Sequence, residues 1–402
     1  MPVTLAQERL LGLVASGTTA EELVPLDRAR GRVLSRPVIA GWALPGCDNS
    51  EMDGFAVRAD ECATASPATP ARLPVAGDAR AGAAIGTLAR GTVAAIATGA
   101  AVPLGADAVV PIEDTRPDGP GSVLLLVAPR PGQHVRHAGE DLESGKVMLP
   151  PGRRLRPVDI AACAAVGGSS VWVWRRPRVA VLSGGDELVP VGAMPAPHQV
   201  TDSNAAMLAA AVSEAGGEVI ALGIVGDSPD LLRERLDGAS GCDLIITSGG
   251  VSVGRYDYVR QVVGELGSIE AWRIAMRPGK PLLIGRIGDT PMLGLPGNPV
   301  SAAVTFELFG RPALLALQGA SQVHRRHVAL RAGEDLDTPA DLETYLRVRL
   351  TDAGDGIPIA TLSGGQRSSM LRSLTDAEAL LIVPVGMSRA PAGTLLTGLE
   401  LG

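Results

Sequence analysis

From residue 178 onward, short apolar runs alternate with longer stretches whose apolar positions recur every three to four residues. Residues 179–182, 218–225 and 243–246 read as buried strands. Between the first two, a segment rich in Ala and Leu follows Thr201, Asp202 and Ser203, which can cap a helix, and stops at Gly216-Gly217. A second helix is announced by Asp227-Ser228-Pro229, with proline at the first helical position, where its missing N–H goes unnoticed. Alternation at this spacing predicts a doubly wound, mostly parallel sheet, with ligands bound beyond the carboxyl ends of its strands.

The flanking regions have a different rhythm. Residues 4–35 predict a helix and then a short extended segment, ending near Arg36-Pro37. From about residue 45 to 137, apolar runs at 54–57, 93–97, 108–112 and 123–127 are separated by Pro, Gly and Asp turns, which suggests a small β-rich domain. Residues 63–74 and 115–121 read as exposed loops. Residues 155–168 predict a helix with Pro157 in its first turn and Gly167-Gly168 at its end. Beyond Gln318, strands are predicted at 345–350, 358–362 and 379–384. The fold class is therefore α/β and β, in several domains.

Composition narrows the function. A chain of 402 residues exceeds one ordinary core, so two to four domains are expected. Aromatic residues are only 2%, and cores must be built from Ala, Val, Leu and Ile. The net charge of −7 and the lack of stacking aromatics argue against a nucleic-acid binder. Cys47, Cys62, Cys163 and Cys242 are scattered, which gives no support to a disulfide framework or structural zinc site. The N-terminus lacks the basic and apolar regions of a leader, and the apolar stretch 92–112 is broken by Gly99, Pro103 and Asp107. No membrane association is predicted, and a cytoplasmic location is expected.

The candidate chemistry lies in three loops: Thr247-Ser-Gly-Gly-Val-Ser-Val-Gly254, Met276-Arg-Pro-Gly-Lys280 and Gly294-Leu-Pro-Gly-Asn-Pro-Val-Ser301. Each follows a β-rich segment. Glycine lets backbone N–H groups approach a ligand closely, and two of the loops lead into helices whose N-termini favour anions. One such loop is commonly a plain turn; three between residues 247 and 301 point to a phosphate-bearing small molecule. The substrate-binding candidates are Ser248, Gly249, Gly250, Ser252, Gly254, Pro296, Gly297, Asn298 and Pro299, joined by Ser183, Gly184 and Gly185 after the first strand.

Asp186, Glu187, Asp227 and Asp257 are predicted at the same sheet edge. Bare carboxylates would repel phosphate, and a Mg²⁺ ion held between them, largely through waters, resolves the conflict. Helix capping is the alternative, strongest for Asp227 because Pro229 follows. Arg273, Arg277 and Lys280 supply positive charge, with Arg273 and Arg277 on one face if that segment stays extended. The His134/His137 and His324/His327 pairs read as solvated, and the role of Arg367-Ser-Ser-Met370 stays open. No Gly-x-Ser-x-Gly elbow and no Cys–His pairing are present, so no covalent nucleophile is suggested, and Pro281 after Gly279-Lys280 rules out a Walker A loop.

Together with Asp48-Asn-Ser-Glu-Met-Asp-Gly-Phe-Ala-Val57, Thr98-Gly-Ala100, Gly139-Glu-Asp141 and Ser183-Gly-Gly-Asp-Glu-Leu188, these loops resemble the MoeA family of molybdopterin molybdenumtransferases, the counterpart of the animal gephyrin E domain. The resemblance spans nearly the whole chain and is weakest after residue 320. It implies a split linker domain (1–44 and 138–176), a β-rich inserted domain (45–137), a molybdopterin-binding α/β domain (177–322) and a C-terminal β-barrel (323–402). It also implies a molybdenum insertase that uses adenylyl-molybdopterin, molybdate and Mg²⁺, and releases molybdenum cofactor and AMP. The partners implied are a second copy, forming a homodimer, and the adenylyltransferase of the preceding step.

By the same resemblance, Asp53, Thr98, Asp141, Glu187, Asp227 and Asp257 are catalytic. Arg136, Asp53, Thr98 and Asp141 reach the cleft across the dimer interface. The chain departs from the family pattern in three places. Arginine replaces the usual lysine at Arg273 and Arg277, His137-Ala138 interrupts a usual Arg-Arg-Gly-Glu-Asp, and Gly184 replaces a usual threonine. Two other readings stay open: an adenylyltransferase-like step, which the α/β domain also resembles, and a non-catalytic molybdopterin-binding or scaffold protein. The acidic set favours the enzyme.

Overall fold

The computed structural model describes residues 1–15, 19–251 and 258–401. Ser252, Gly254 and Asp257 lie outside the described residues. The expected α/β unit is present. Strands Glu218–Val225, Arg178–Gly184, Leu244–Ser248 and Thr290–Leu295 lie side by side in that order and run parallel. Leu283–Ile287 and Gly267–Trp272 extend the sheet antiparallel.

The central strands are apolar throughout because both sheet faces are covered. Val179, Val181, Leu244 and Ile246 pack on one side with helix Ser203–Glu214 and the helical run from Pro299 to Leu317. Ala180, Leu182 and Ile245 pack on the other with Pro229–Asp237 and Val259–Leu266. The run Pro299–Leu317 is long and apolar enough to cross a membrane, but 78% of its most apolar window is buried inside this core.

Helix Val3–Ala15 sets Val3, Ala6, Leu10 and Val14 on one face, and these side chains join the α/β core rather than the linker that follows them in sequence. The linker module proper begins with Glu21–Pro25. That strand pairs antiparallel with Ser170–Trp174, so the chain leaves for the inserted domain and returns to close the same module. Val24, Leu34, Leu149, Leu155, Cys163 and Val173 form its small core.

One buried charge anchors this module. Asp159, in the first turn of Pro157–Ala165, accepts from Arg153 Nη2 at 2.6 Å, Arg156 Nε at 3.2 Å and the Arg156 backbone N–H at 2.9 Å. Burial alone would raise its pKa; the two arginines and the N–H outweigh that and hold it at about 2, against an ordinary 3.8. A depressed carboxylate pKa stabilises the fold above the unfolded value and stops doing so as pH falls through the folded one. Asp159→Asn should therefore cost about 2 kcal/mol at neutral pH. In urea melts the gap between variant and wild type should close as pH falls from 3.8 towards about 2; a gap independent of pH would contradict this origin.

In the inserted domain the strands run in the order Ala108–Pro111, Gly54–Val57, Val93–Ile96, Ala71–Ala79, Ser122–Leu125 and Thr115–Pro117, curled around Val57, Val93, Val110 and Leu125. The two stretches expected as loops thus carry part or all of a strand each. At the C-terminus Glu343–Thr351, Ile359–Leu362, His327–Ala332, Leu395–Glu400 and Ala379–Val383 close into a barrel, since the last pairs back with the first. A short strand of the α/β unit, Met276–Arg277, runs alongside Glu343 and Thr344 and ties the two units together.

Candidate active site

Because four strands run parallel, their carboxyl ends share one edge. Their loops enclose a cleft of about 760 Å³. Gly184, Gly185 and Glu187 line it from the first strand, Asp227 from the second, Ser248, Gly249 and Gly250 from the third, and Pro296, Gly297, Asn298 and Pro299 from the last parallel strand. Among the glycines lining the cleft, backbone meets backbone most closely at Gly249. Its φ is +88°, and a Cβ there would lie 2.5 Å from the Gly184 carbonyl oxygen. Its N–H donates to Leu295 O at 3.0 Å, and a Cβ on Gly297 would come within 3.5 Å of its Cα. Glu187 folds back over Gly185, where a Cβ would meet its Oε2 at 2.5 Å.

A residue not singled out in the sequence clips these loops together. Asn204 sits in the first turn of Ser203–Glu214, a helix capped by Asp202, whose carboxylate accepts from the Ala205 N–H at 3.0 Å. Asn204 Nδ2 donates to Ser248 Oγ at 2.7 Å and to Gly297 O at 2.8 Å. Asparagine is a poor helix former, so its place two residues beyond the cap Asp202 was the available signal. Ser183 Oγ, Thr247 Oγ1 and Asn204 Oδ1 are buried at the same edge with no hydrogen-bond partner among the described residues. Unpaired buried polar atoms are costly in a native protein, and three together suit a polar ligand.

Other candidates take different positions. Asp186 does not line the cleft; its Oδ1 accepts the Asp227 N–H at 3.0 Å and pins the neighbouring loop. Among the described residues no three His, Cys, Asp or Glu side chains gather as a metal site, while Asp257 of the expected four lies outside them. The segment after Gly267–Trp272 does not stay extended. Arg273 has φ +61° and its guanidinium lies 5.2 Å from the Trp272 ring, so it does not share a strand face with Arg277. Arg277 and Lys280 are exposed, and of their loop only Pro281 lines the cleft.

The C-terminal domain contributes instead. Ser369 lines the cleft, Ser368 Oγ accepts from Asn298 Nδ2 at 3.1 Å, and the Val300 N–H donates to Ser368 O at 3.3 Å. The buried Arg347 holds this loop, donating to Gly365 O at 2.9 Å, Arg367 O at 3.2 Å and Ser373 Oγ at 3.1 Å. Burial, and then Arg277, push its pKa down to about 10, which leaves it charged at neutral pH.

Asp53, Thr98, Arg136 and Asp141 do not line this chain's own cleft. Asp53 Oδ1 accepts the Thr98 N–H at 2.7 Å and its hydroxyl at 3.0 Å, and these bonds, the N–H first, hold its carboxylate below the usual pKa range. Nearby, Asp48 accepts the Ala138 N–H at 2.8 Å and contacts His137 Nδ1 at 3.2 Å, and it too is lowered, by the Ala138 N–H first. Arg136 follows Val135 in a strand pairing with Asn49 and Ser50. The inserted domain thus presents a second, exposed polar cluster.

Residues 1–167 match the family model described as the MoeA N-terminal region (domain I and II), and residues 329–399 match the MoeA C-terminal region (domain IV). Residues 180–316, which carry the glycine loops, match a probable molybdopterin binding domain. The chain belongs to the MoeA family. This MoeA chain is 41% identical over 381 residues to molybdopterin molybdenumtransferase 2 of Mycobacterium tuberculosis H37Rv, covering 93% of each. It is 39% identical to the molybdopterin molybdenumtransferase of Nostoc sp. PCC 7120, covering 94% of this chain and 88% of that one. Among solved structures, the molybdopterin biosynthesis MoeA protein of Pyrococcus horikoshii OT3 superposes with a TM-score of 0.86 over the full length of both chains, at 26% identity. A second MoeA structure, from Pyrococcus horikosii, gives 0.79 at 31% identity, over 100% of this chain and 99% of that one.

Proposed function

We propose that the chain is a molybdopterin molybdenumtransferase, which inserts molybdate into adenylyl-molybdopterin and releases AMP. The observation that carries this reading is the convergence of the Gly184, Gly249 and Gly297 loops on one cleft with Glu187 and Asp227 at its rim. The glycine backbones hold the diphosphate, and the clip from Asn204 fixes their spacing. A water oxygen attacks the adenylyl phosphorus, its anhydride P–O bond to the pterin phosphate breaks, and AMP departs with the new oxygen while a phosphate monoester stays on the pterin. Where a molybdate oxygen attacks instead, its Mo–O bond breaks as molybdenum passes to the dithiolene sulfurs, and that oxygen leaves in AMP. The dithiolene sulfurs come from the substrate, so the protein supplies no thiolate. Positioning and fixed dipoles provide most of the rate.

The donor set fits Mg²⁺, because Glu187 and Asp227 bring hard carboxylate oxygens to a phosphate-type cleft and would hold the ion partly through its waters. When bound, Mg²⁺ neutralises phosphate charge. The enzyme is further proposed to work as a cytoplasmic homodimer that receives its substrate from the adenylyltransferase. In that dimer Asp53, Thr98, Arg136 and Asp141 reach the cleft of the partner subunit.

The decisive assay is AMP release from adenylyl-molybdopterin by the purified protein. Release that needs molybdate, with reconstitution of an apo-molybdoenzyme, supports the insertase; tight binding without release would leave a carrier or scaffold. Asn204→Ala removes both clips and should weaken adenylyl-molybdopterin binding by about 2 kcal/mol, roughly 30-fold. A titration of the variant that matches wild type would remove Asn204 from the site.

A further inference from the structure

One arginine-lined cleft has no part in the chemistry above. Where the linker module meets the α/β unit, a cleft of about 690 Å³ is lined by Arg30, Arg153, Arg154, Arg156 and Arg311, and by no carboxylate. It shares no lining residue with the glycine-loop cleft. Nearly all of the chain's 36 basic residues are arginines, and five of their guanidiniums converge here.

The arginines are only partly neutralised. Arg153 and Arg156 share the single carboxylate of Asp159 behind the cleft. Arg154 is held by carbonyls alone, Gly31 O at 3.3 Å and Glu214 O at 2.6 Å, which fix its guanidinium without cancelling its charge. Arg311 lies 3.8 Å from Glu307, but that carboxylate is engaged more closely by Arg325, at 2.6 Å. Burial dominates the shifts of two groups here, with their basic neighbours second. Burial first, and then Arg325, lower the Arg311 pKa; burial first, and then His327 and Arg311, lower that of His324 on the rim.

The walls are fixed rather than loose. The Ser321 N–H donates to Gly152 O at 2.9 Å, and Gly152, at φ +78°, has room for a Cβ only 3.1 Å from Gly319 O. Leu155 and Leu315, both buried, lie at the base. Planar guanidinium forks match phosphate oxygens, and an apolar base between them suits an attached ring. The volume is that of a small-molecule pocket.

We infer that this cleft is a second ligand site, for a phosphate-bearing small molecule of nucleotide size, separate from the proposed active site. ATP is the probe, titrated calorimetrically into full-length protein at low ionic strength. Arg30→Glu with Arg156→Glu, both exposed positions, should weaken binding at this site about tenfold or more. Arg80→Glu with Arg116→Glu, the same charge change on the inserted domain, should not. Gly249→Ala, which disables the other cleft, should leave the site intact, so failure of the proposed activity and failure of this site give different patterns. Should the double variant not fold, the single Arg30→Ala is expected to weaken ATP binding in the same direction. ATP binding unchanged by the arginine variants, or weakened equally by the control pair, overturns the inference. So does binding of poly-glutamate without ATP, which would make this an acidic-protein face.

Discussion

Gly249→Ala is expected to lower AMP release by about a hundredfold or more while the protein stays folded. Two costs combine at this position. A φ of +88° is one that an L-residue adopts at about 1–2 kcal/mol. The new methyl would also stand 2.5 Å from the Gly184 carbonyl oxygen, which is backbone and cannot swing away. The Gly249 loop must therefore move away from the Gly184 loop, and Gly297 packs against its other side. A displacement approaching 1 Å between phosphate-holding loops is enough for about 10² in rate. Gly82→Ala is the control: it has φ +81° but nothing within 4 Å of the added Cβ, and it lies in the inserted domain. Steady-state AMP release and thermal midpoints of both variants check the argument. If Gly249→Ala kept most of its activity, the close approach of the loops would not matter to the reaction.

The α/β unit was legible because its signal is local. Strands such as Leu244–Ser248 are covered on both faces and appear in sequence as unbroken apolar runs, and glycine loops at their carboxyl ends sit where parallel topology puts a site. What was missed depended on pairing. Ala71–Ala79 carries Pro74 and Gly77 and alternates between half-buried and exposed positions, so nothing local marks it as a strand. His327–Ala332 and Leu395–Glu400 were not anticipated, yet they pair with each other and close the barrel.

The site shows the same division. The positive φ of Arg273 is unusual for a residue other than glycine and cannot be read from its identity, so the expected Arg273–Arg277 face dissolved. Ser369 reaches the cleft only because Arg347, buried in the barrel, organises the loop from Gly365 to Ser373. Asn204 acts through two loops distant in sequence from its own helix. Long-range placement, not residue chemistry, was the missing information.

The placement of Asp53 leads to the second large effect. Glu187→Ala and Asp53→Ala should each abolish turnover, a loss of about 10²-fold or more for a positioned charged group at a reacting phosphate. Both side chains are exposed in the single chain, so neither substitution should unfold it. Yet Glu187 lines the cleft, whereas Asp53 is bonded to Thr98 on the inserted domain and does not. In the proposed homodimer each site takes Glu187 from one subunit and Asp53 from its partner. Denaturing the two inactive variants together and refolding them at equal amounts would make half the dimers mixed. Each mixed dimer holds one intact site and one doubly damaged site, so the mixture should recover about a quarter of wild-type activity. If both residues served a site within one chain, every site in the mixture would lack one of them and no activity would return. Recovery near a quarter would also separate catalysis from stability, since a folding defect in either variant cannot be repaired by a partner that lacks a different surface carboxylate.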